Sequence, residues 1–352
     1  MKRGITGFAI NGQRLEDNNF LLDGINNNEN HNGLGILIFP PLEAVEQFRV
    51  ETSVADAQYG RGGGATINLT YKSGTRDYHG GTFEFLRNSA MDAKKFFERP
   101  DAKIAPFKLN QFGGFLGGRL FPWKKEPKTF FFVDFEGQRI RQGQTFISSV
   151  PTQGFKEGDF SAAPQRIYDP LTQRPNPSGS GFVRDPFAGN RIPAGRIDHV
   201  GSNILNLFPA PNLGTGIANN YLYDPVRSND VNSVDVKIDH NFGTTDTVFV
   251  RYSHSNSDLD EPSNLPAPAV GNGPGVPGLN SQPVNQVVIS HTHLLSPTKV
   301  NQARFGWTRL NLRAFNRSRA LVRHGRISAC AWIRSHVPNA CRRPAYDRRS
   351  IF

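Results

Sequence analysis

His291 and His293 stand two residues apart in "VVISHTHLLS". On an extended chain that spacing puts both imidazoles on one face, where they can ligate a metal if a third donor joins them. No third donor is identifiable along the chain, and polar residues alternating toward a wet lumen account for the pair equally well. Asp23, Asn26, Asn27, Asn28 and Glu29 offer oxygen ligands for a calcium ion, but lack the 1-3-5 spacing with glycine at position 6. An Asn-rich loop is the better reading. Lys72-Ser73-Gly74-Thr75 has the look of a K-T-G motif, yet no S-x-x-K accompanies it. The run "QYGRGGGATINLTYKSG" raises the idea of a phosphate-cradling loop. That chemistry needs a helix after the glycines and a glycine before the Lys-Ser, whereas Tyr71 precedes Lys72 and a period-2 pattern follows Gly64. A glycine turn feeding a strand is left, with positive φ or close backbone approach at Gly60 or Gly62 to Gly64. No catalytic constellation, metal site or cofactor is expected, and the chain is not expected to be an enzyme.

The elements that position these residues are mostly strands. The chain has 352 residues and a formal net charge of +11. Residues 313–352 carry ten Arg, no Lys and one acid, Asp347, so the tail supplies +9 of that charge. The body is then close to neutral, and a nucleic-acid partner is not expected. The tail also holds both cysteines, Cys330 and Cys341, and lacks strand alternation. A slipped reading frame near Arg313 is the favoured account of it, over a basic arm. No stretch approaches the roughly 20 apolar residues of a spanning helix, which leaves open a β-barrel with strands of about 10 residues.

Before residue 76 the pattern reads as a small α+β unit: the strand around Phe20–Leu22, a turn at Asp23-Gly24, an amphipathic helix from Leu42 through Val45 to Phe48, a strand from Arg49, then the strand from Ala65 to Lys72. From His79 the segments are strand-length and alternate. Phe131, Val133 and Phe135 oppose Asp134 and Glu136. Val234, Val236 and Ile238 oppose Asp235, Lys237 and Asp239, and Phe305 and Trp307 oppose Arg304. The apolar set is expected to face lipid and the polar set the lumen. Phe121, Trp123, Phe130 and Trp307 are candidates for an aromatic girdle. Connections differ in length: the one from Asn241 to Thr247 is tight, while residues 151–230 hold ten prolines and residues 256–283 are rich in Pro, Gly and Asn. Short turns at one end and long loops at the other favour a membrane barrel over a soluble sandwich.

The segments "NNFLLDGINN", "PLEAVEQFRVETSVADAQYGRGGGATINLTYKSGT" and "HGGTFEFLRNSAMDAKKFF" resemble the end of the plug and the start of the barrel of a TonB-dependent outer-membrane receptor, most closely the Oar-like subgroup. The resemblance spans residues 8 to about 312. It implies a mainly β fold: residues 1–76 as the C-terminal part of the plug, 77–312 as the first part of an incomplete transmembrane barrel with long extracellular loops at about 151–230 and 256–283, and 313–352 as a basic tail, frameshifted or disordered. It implies plug residues with structural or gating roles at Asp23, Gly24, Glu43, Arg49, Tyr59, Gly60, Arg61 and Gly74. Arg49 and Arg61, with Glu43 and Glu46, are expected to form plug-to-wall salt bridges. The implied location is the outer membrane of a Gram-negative bacterium. The implied partners are its lipid, the TonB-ExbB-ExbD energy-coupling complex and an unidentified transported ligand. Intact members carry a signal peptide, a coupling box, the first half of the plug and 22 strands; the first three are not found here, so a fragment that is non-functional alone is expected. The alternative is a structural or adhesive β protein without transport, which has no need of a plug-like unit.

Overall fold

The computed structural model describes residues 9–10, 12–29, 35–52, 63–94, 96, 104–269 and 277–315. Tyr59, Gly60, Arg61 and Gly62 lie outside the described residues, as does the tail from residue 316.

The first unit comprises residues up to 143 together with 226–260 and 279–314. Inside it a four-stranded sheet is built from β1 (Asn19–Leu22), β2 (Ile25–Asn26), β3 (Val45–Glu51) and β4 (Thr66–Tyr71), in the order β2-β1-β4-β3. β1 and β4 run parallel, with Phe20 opposite Ile67 and Leu22 opposite Leu69; the outer pairs are antiparallel. The alternating segment after the glycines is therefore a strand, as its period requires. Of the glycines expected at positive φ, Gly60 and Gly62 lie outside the described residues. Gly63 and Gly64 are not among the positive-φ residues, whereas Asp23 (φ 50°) and Gly24 (φ 75°) make the tight β1–β2 turn. What Gly64 supplies is close approach: a Cβ there would sit 2.8 Å from the Asp17 carbonyl oxygen.

The expected helix from Leu42 to Phe48 does not form. One 3-10 turn, Leu42–Ala44, is followed at once by β3. Val45, Phe48 and Val50 favour an extended chain, and pairing with β4, Phe48 opposite Leu69 and Val50 opposite Ile67, overrides the i, i+3 spacing. Leu42 and Phe48 are exposed, while Ala44 is buried.

The wall is one antiparallel meander: β5 (His79–Asn88), β6 (Phe107–Arg119), β7 (Thr129–Gly143), β8 (Val226–Asn241), β9 (Asp246–Glu261), β10 (Val284–Ser296) and β11 (Lys299–Leu310), each paired with the next. Short strands Gly278–Ser281 and Arg313–Phe315 pair with each other beside β9. Arg313 to Phe315, assigned to the tail on composition, thus belong to the sheet. Among the described residues β5 and β11 do not pair, so the barrel is unclosed.

Connections 120–128, 242–245 and 297–298 join strands at one end; connections 89–106, 144–225 and 262–283 join them at the other. The predicted length asymmetry is complete. Residues 144–225 and 261–278 form the core of a second compact unit. There Val150, Tyr221, Leu265 and Ala269 make a small core, β-pairing joins Phe146–Ser148 to Tyr221–Tyr223, and bidentate pairs join Arg174 to Asp185 and Arg196 to Asp169.

The alternation sets the faces. On β7 Phe132 and Asp134 are buried while Phe135 is exposed, and on β8 Asp235 and Lys237 are buried while Ile238 is exposed. The register keeps like with like: Phe131 lies opposite Ile238, Val133 opposite Val236 and Asp134 opposite Asp235. Phe305 and Trp307 of β11 are exposed, while Arg304 and Gly306 face the inner sheet. Phe130, one of the residues expected in a girdle, departs from that expectation. It shares the parity of buried Phe132 and Asp134, so it faces inward.

Candidate functional site

The polar face of the wall closes on the inner sheet, and the contact is organised around Arg251. This residue sits on β9 in a row with Ser253, Ser255 and Ser257, all buried. Small hydroxyl neighbours leave room for a long side chain to reach across. Arg251 Nε donates to Asp23 Oδ2 at 2.7 Å, Nη2 donates to Gln286 Oε1 at 2.7 Å, and Nη1 donates to Ser253 Oγ. Its guanidinium lies 4.7 Å from the Tyr71 ring centroid, a cation–π contact.

Asp23 is the matching anchor. Its positive φ turns the carboxylate back under β4, where Oδ1 accepts from the Tyr71 amide at 3.1 Å. Its own amide donates to the Leu69 carbonyl at 2.8 Å. The carboxylate therefore ties the β1–β2 turn to β4 and to the wall together. Both ends of the Asp23–Arg251 pair are buried, the guanidinium side chain being 0% exposed. Such a pair is costly to break from one side, because the remaining charge is stranded.

Two further links flank it. Lys237 Nζ donates to the Tyr71 carbonyl at 3.0 Å. Gln286 Nε2 donates to the Asn26 carbonyl at 3.3 Å and to Thr308 Oγ1 at 3.0 Å. Apolar packing joins the same surfaces, since Leu22, Ile38, Ala44 and Tyr71 of the inner unit cluster with Phe132 and Val284 of the wall. Asp134 and Asp235, directly opposite on β7 and β8, lie buried beside Tyr71. Among the described residues no donor meets either carboxylate at hydrogen-bond geometry. Burial pushes the Tyr71 phenol well above its ordinary range, and the neighbouring Asp235 charge adds to the shift.

The predicted residues divide sharply. Asp23 and Gly24 are central: the Gly24 amide donates to Asn68 Oδ1 at 3.1 Å, and a Cβ there would fall 2.0 Å from an Arg304 guanidinium nitrogen. Gly74 also lies at the wall, where a Cβ would meet the Phe131 carbonyl oxygen at 2.2 Å and the Gly118 carbonyl oxygen at 2.6 Å. Arg49 does not reach the wall. Its partner is Glu51 on the same strand at 2.8 Å, with Arg49 exposed and Glu51 mostly covered. Residues 46–50 of the outer edge strand β3 are exposed, with Glu46 lining a cleft shared with Lys72 and the wall residues His79, Phe115 and Phe132. Glu43 stands in the 3-10 turn that begins β3. The plug-to-wall salt bridge expected of Arg49 is made instead by Asp23.

In the Asn-rich loop the described side-chain amides are taken up by the backbone. Asn27 gives and takes bonds with the Ile38 backbone at 2.8 and 3.0 Å, and Asn28 Oδ1 accepts from the Phe20 amide at 3.0 Å. These amides replace missing strand partners. His291 and His293 prove to face outward, not into the lumen, since Gln286, Val288 and Ser290 hold the buried parity of β10. Sequence reasoning turned Lys237 inward without giving it a role, and missed Arg251 and Gln286. Their signal was a long polar side chain at inward parity, set among serines for Arg251, between Asp235 and Asp239 for Lys237, and between Val284 and Val288 for Gln286.

A meander with apolar and polar faces alternating, short connections at one end and long ones at the other, belongs to the outer-membrane β-barrel class. The chain is a member of the outer membrane beta barrel domain family, whose model matches residues 70–327 and so runs past the compositional break at Arg313. It is 25% identical over 145 residues to the TonB-dependent transporter Oar of Myxococcus xanthus, covering 40% of this chain and 13% of that protein. Its fold resembles the outer membrane transporter YddB of Escherichia coli, with a TM-score of 0.50 and 12% identity over 86% of this chain and 32% of that one. The ferric enterobactin receptor PfeA of Pseudomonas aeruginosa aligns at a TM-score of 0.45 and 14% identity, over 88% and 35%. The chain thus spans about a third or less of the length of the proteins it matches. It is an outer-membrane β-barrel protein, located in the Gram-negative outer membrane.

Proposed function

We propose that this chain is the plug-and-wall junction of an energised transporter, a fragment of a longer receptor that does not transport alone. In this reading residues 1–76 are the C-terminal part of a plug, 77–312 the first part of the barrel, and the long connections extracellular. The TonB-ExbB-ExbD complex of the intact receptor would move the plug to admit a ligand. The observation that carries the proposal is the buried Asp23–Arg251 pair, with the Lys237 and Gln286 links beside it. It is a polar fastening between a small sheet and a lumen wall, dry and specific when closed. Beside the apolar cluster that joins the same surfaces, these hydrogen-bonded links can be exchanged for bonds to water when the sheet moves.

The test uses the full-length receptor that contains this segment, with Cys330 and Cys341 replaced by serine. Ala44, fully buried between sheet and wall, is changed to cysteine and challenged with a membrane-impermeant thiol reagent in permeabilised outer envelopes. Labelling should be faster in energised cells with intact TonB than in cells lacking it. Equal labelling in both would remove energised plug movement and leave the structural, adhesive reading.

A further inference from the structure

We propose that Asp246, His291 and His293 form a binding site for a divalent transition-metal ion of the zinc class, on the outer face of the barrel at its short-connection rim. The sequence offered two imidazoles and no third donor; the fold supplies it. Asp246 opens β9 directly after the connection 242–245, and the register places it opposite His293, with Val248 opposite His291. Both rings then lean on one carboxylate. Asp246 Oδ1 lies 2.9 Å from His291 Nε2 and 2.8 Å from His293 Nδ1. The three ligand atoms all fall within 4.8 Å of one another.

The spacing suits a metal. Zinc binds nitrogen and carboxylate oxygen at about 2.0–2.2 Å in tetrahedral geometry, which separates neighbouring donors by about 3.3 Å. The two oxygen–nitrogen distances need to widen by a few tenths of an ångström, and the two imidazole nitrogens, within 4.8 Å of each other, to settle at the same separation. Two imidazoles with one carboxylate select zinc, cobalt, nickel or copper over calcium or magnesium, which prefer all-oxygen shells.

The surroundings hold the carboxylate for this role. Its second oxygen, Oδ2, accepts from Thr245 Oγ1 at 2.7 Å, which orients Oδ1 toward the imidazoles. The rim itself is fixed by the backbone, with the Phe242 amide donating to the Asp246 carbonyl at 3.0 Å and the Leu294 amide to the Thr245 carbonyl at 2.9 Å. All three side chains are partly exposed, so an ion has a path in and an open coordination position. The site shares no residue with the sheet-to-wall contact, and it stands or falls independently of transport.

The experiment takes the full chain refolded in detergent, with Cys330 and Cys341 changed to serine so that no thiol competes. Zinc is titrated calorimetrically, and cobalt is followed by its visible absorption. One ion per chain should bind, with cobalt giving the intense bands of a tetrahedral site. Asp246→Asn and His293→Gln, each checked for retained β circular dichroism, should each weaken binding by at least about tenfold. Absence of saturable binding overturns the proposal. So does unchanged binding in both variants, which would place the ion elsewhere and leave Asp246 as a hydrogen-bond acceptor for two imidazoles.

Discussion

At the residue scale, two kinds of position at the sheet-to-wall contact respond differently to substitution. Arg251→Ala leaves Asp23 buried and unpaired, and should cost about 3–5 kcal/mol in urea unfolding of the refolded chain. Replacing both by well-packed apolar residues should recover much of that loss, because the desolvation cost disappears with the charges. A cost below about 1 kcal/mol for the single change would mean water reaches the pair. The glycines separate by what their Cβ would strike. At Gly24 the obstacle is the far end of the Arg304 side chain, which can swing away, leaving mainly the strain of positive φ, about 1 kcal/mol. At Gly74 the obstacles are the Phe131 and Gly118 carbonyls, which cannot move without breaking the β6–β7 ladder. Gly74→Ala should therefore destabilise more than Gly24→Ala in the same assay, and the reverse order would contradict the close approach at Gly74.

At the scale of elements, the strands of the wall carry two faces with opposite demands. Val133 and Asp134 are neighbours on β7, one turned toward lipid and one buried against the inner sheet. Val133→Arg should cost about 2–4 kcal/mol if the position lies near the bilayer midplane. Single cysteines at 133 and 134 in a receptor restored to full length should label in the reverse of a soluble sandwich: 133 protected from a water-soluble reagent, 134 the more reactive once the inner sheet is loosened. Strong labelling at 133 would exchange inside for outside. The long connection 144–225 answers to pH instead. The Arg196 and Arg174 guanidinium groups hold the Asp169 and Asp185 carboxyls below their ordinary range by direct hydrogen bonds. Because each folded carboxyl titrates below its unfolded counterpart, the pairs contribute fully above roughly pH 4 and lose their contribution as pH falls through the depressed values. Protection factors for amide exchange near Thr172 and Asp185, taken against the intrinsic rate at each pH, should fall on acidification through that window while β8 and β9 stay protected. Uniform protection throughout would show the pairs to be idle.

At the scale of the whole molecule, the apolar outer face has no protein to cover it. Phe135, Ile238, Val250, Ile289, Phe305 and Trp307 are all exposed, and the meander leaves β5 and β11 unpaired among the described residues. Exposed strand edges and a continuous apolar face drive association in water. The chain should accordingly partition into inclusion bodies or require detergent, as size-exclusion chromatography with and without micelles can read. A monodisperse, detergent-free monomer would argue that the apolar face is not lipid-facing.

What the sequence determined by itself is whatever depends on local period and turn chemistry. Alternation over Phe131–Glu136 and Val234–Asp239 assigned strands and faces, because a period of two leaves each side chain no choice of side once its neighbour is placed. Asp23-Gly24 announced a turn, and the lengths of the connections announced two unlike ends. The tertiary structure decided everything that depends on which strands become neighbours. Leu42 to Phe48 has helical spacing, yet β4 offers Val45–Glu51 a ladder, and β pairing wins. Arg251 finds Asp23 across 228 positions, and Asp246 finds His293 across 47. Neither pairing leaves a trace in local sequence, since the loop between partners carries no information about where its ends meet. Only the register of the assembled sheet brings those charges within reach.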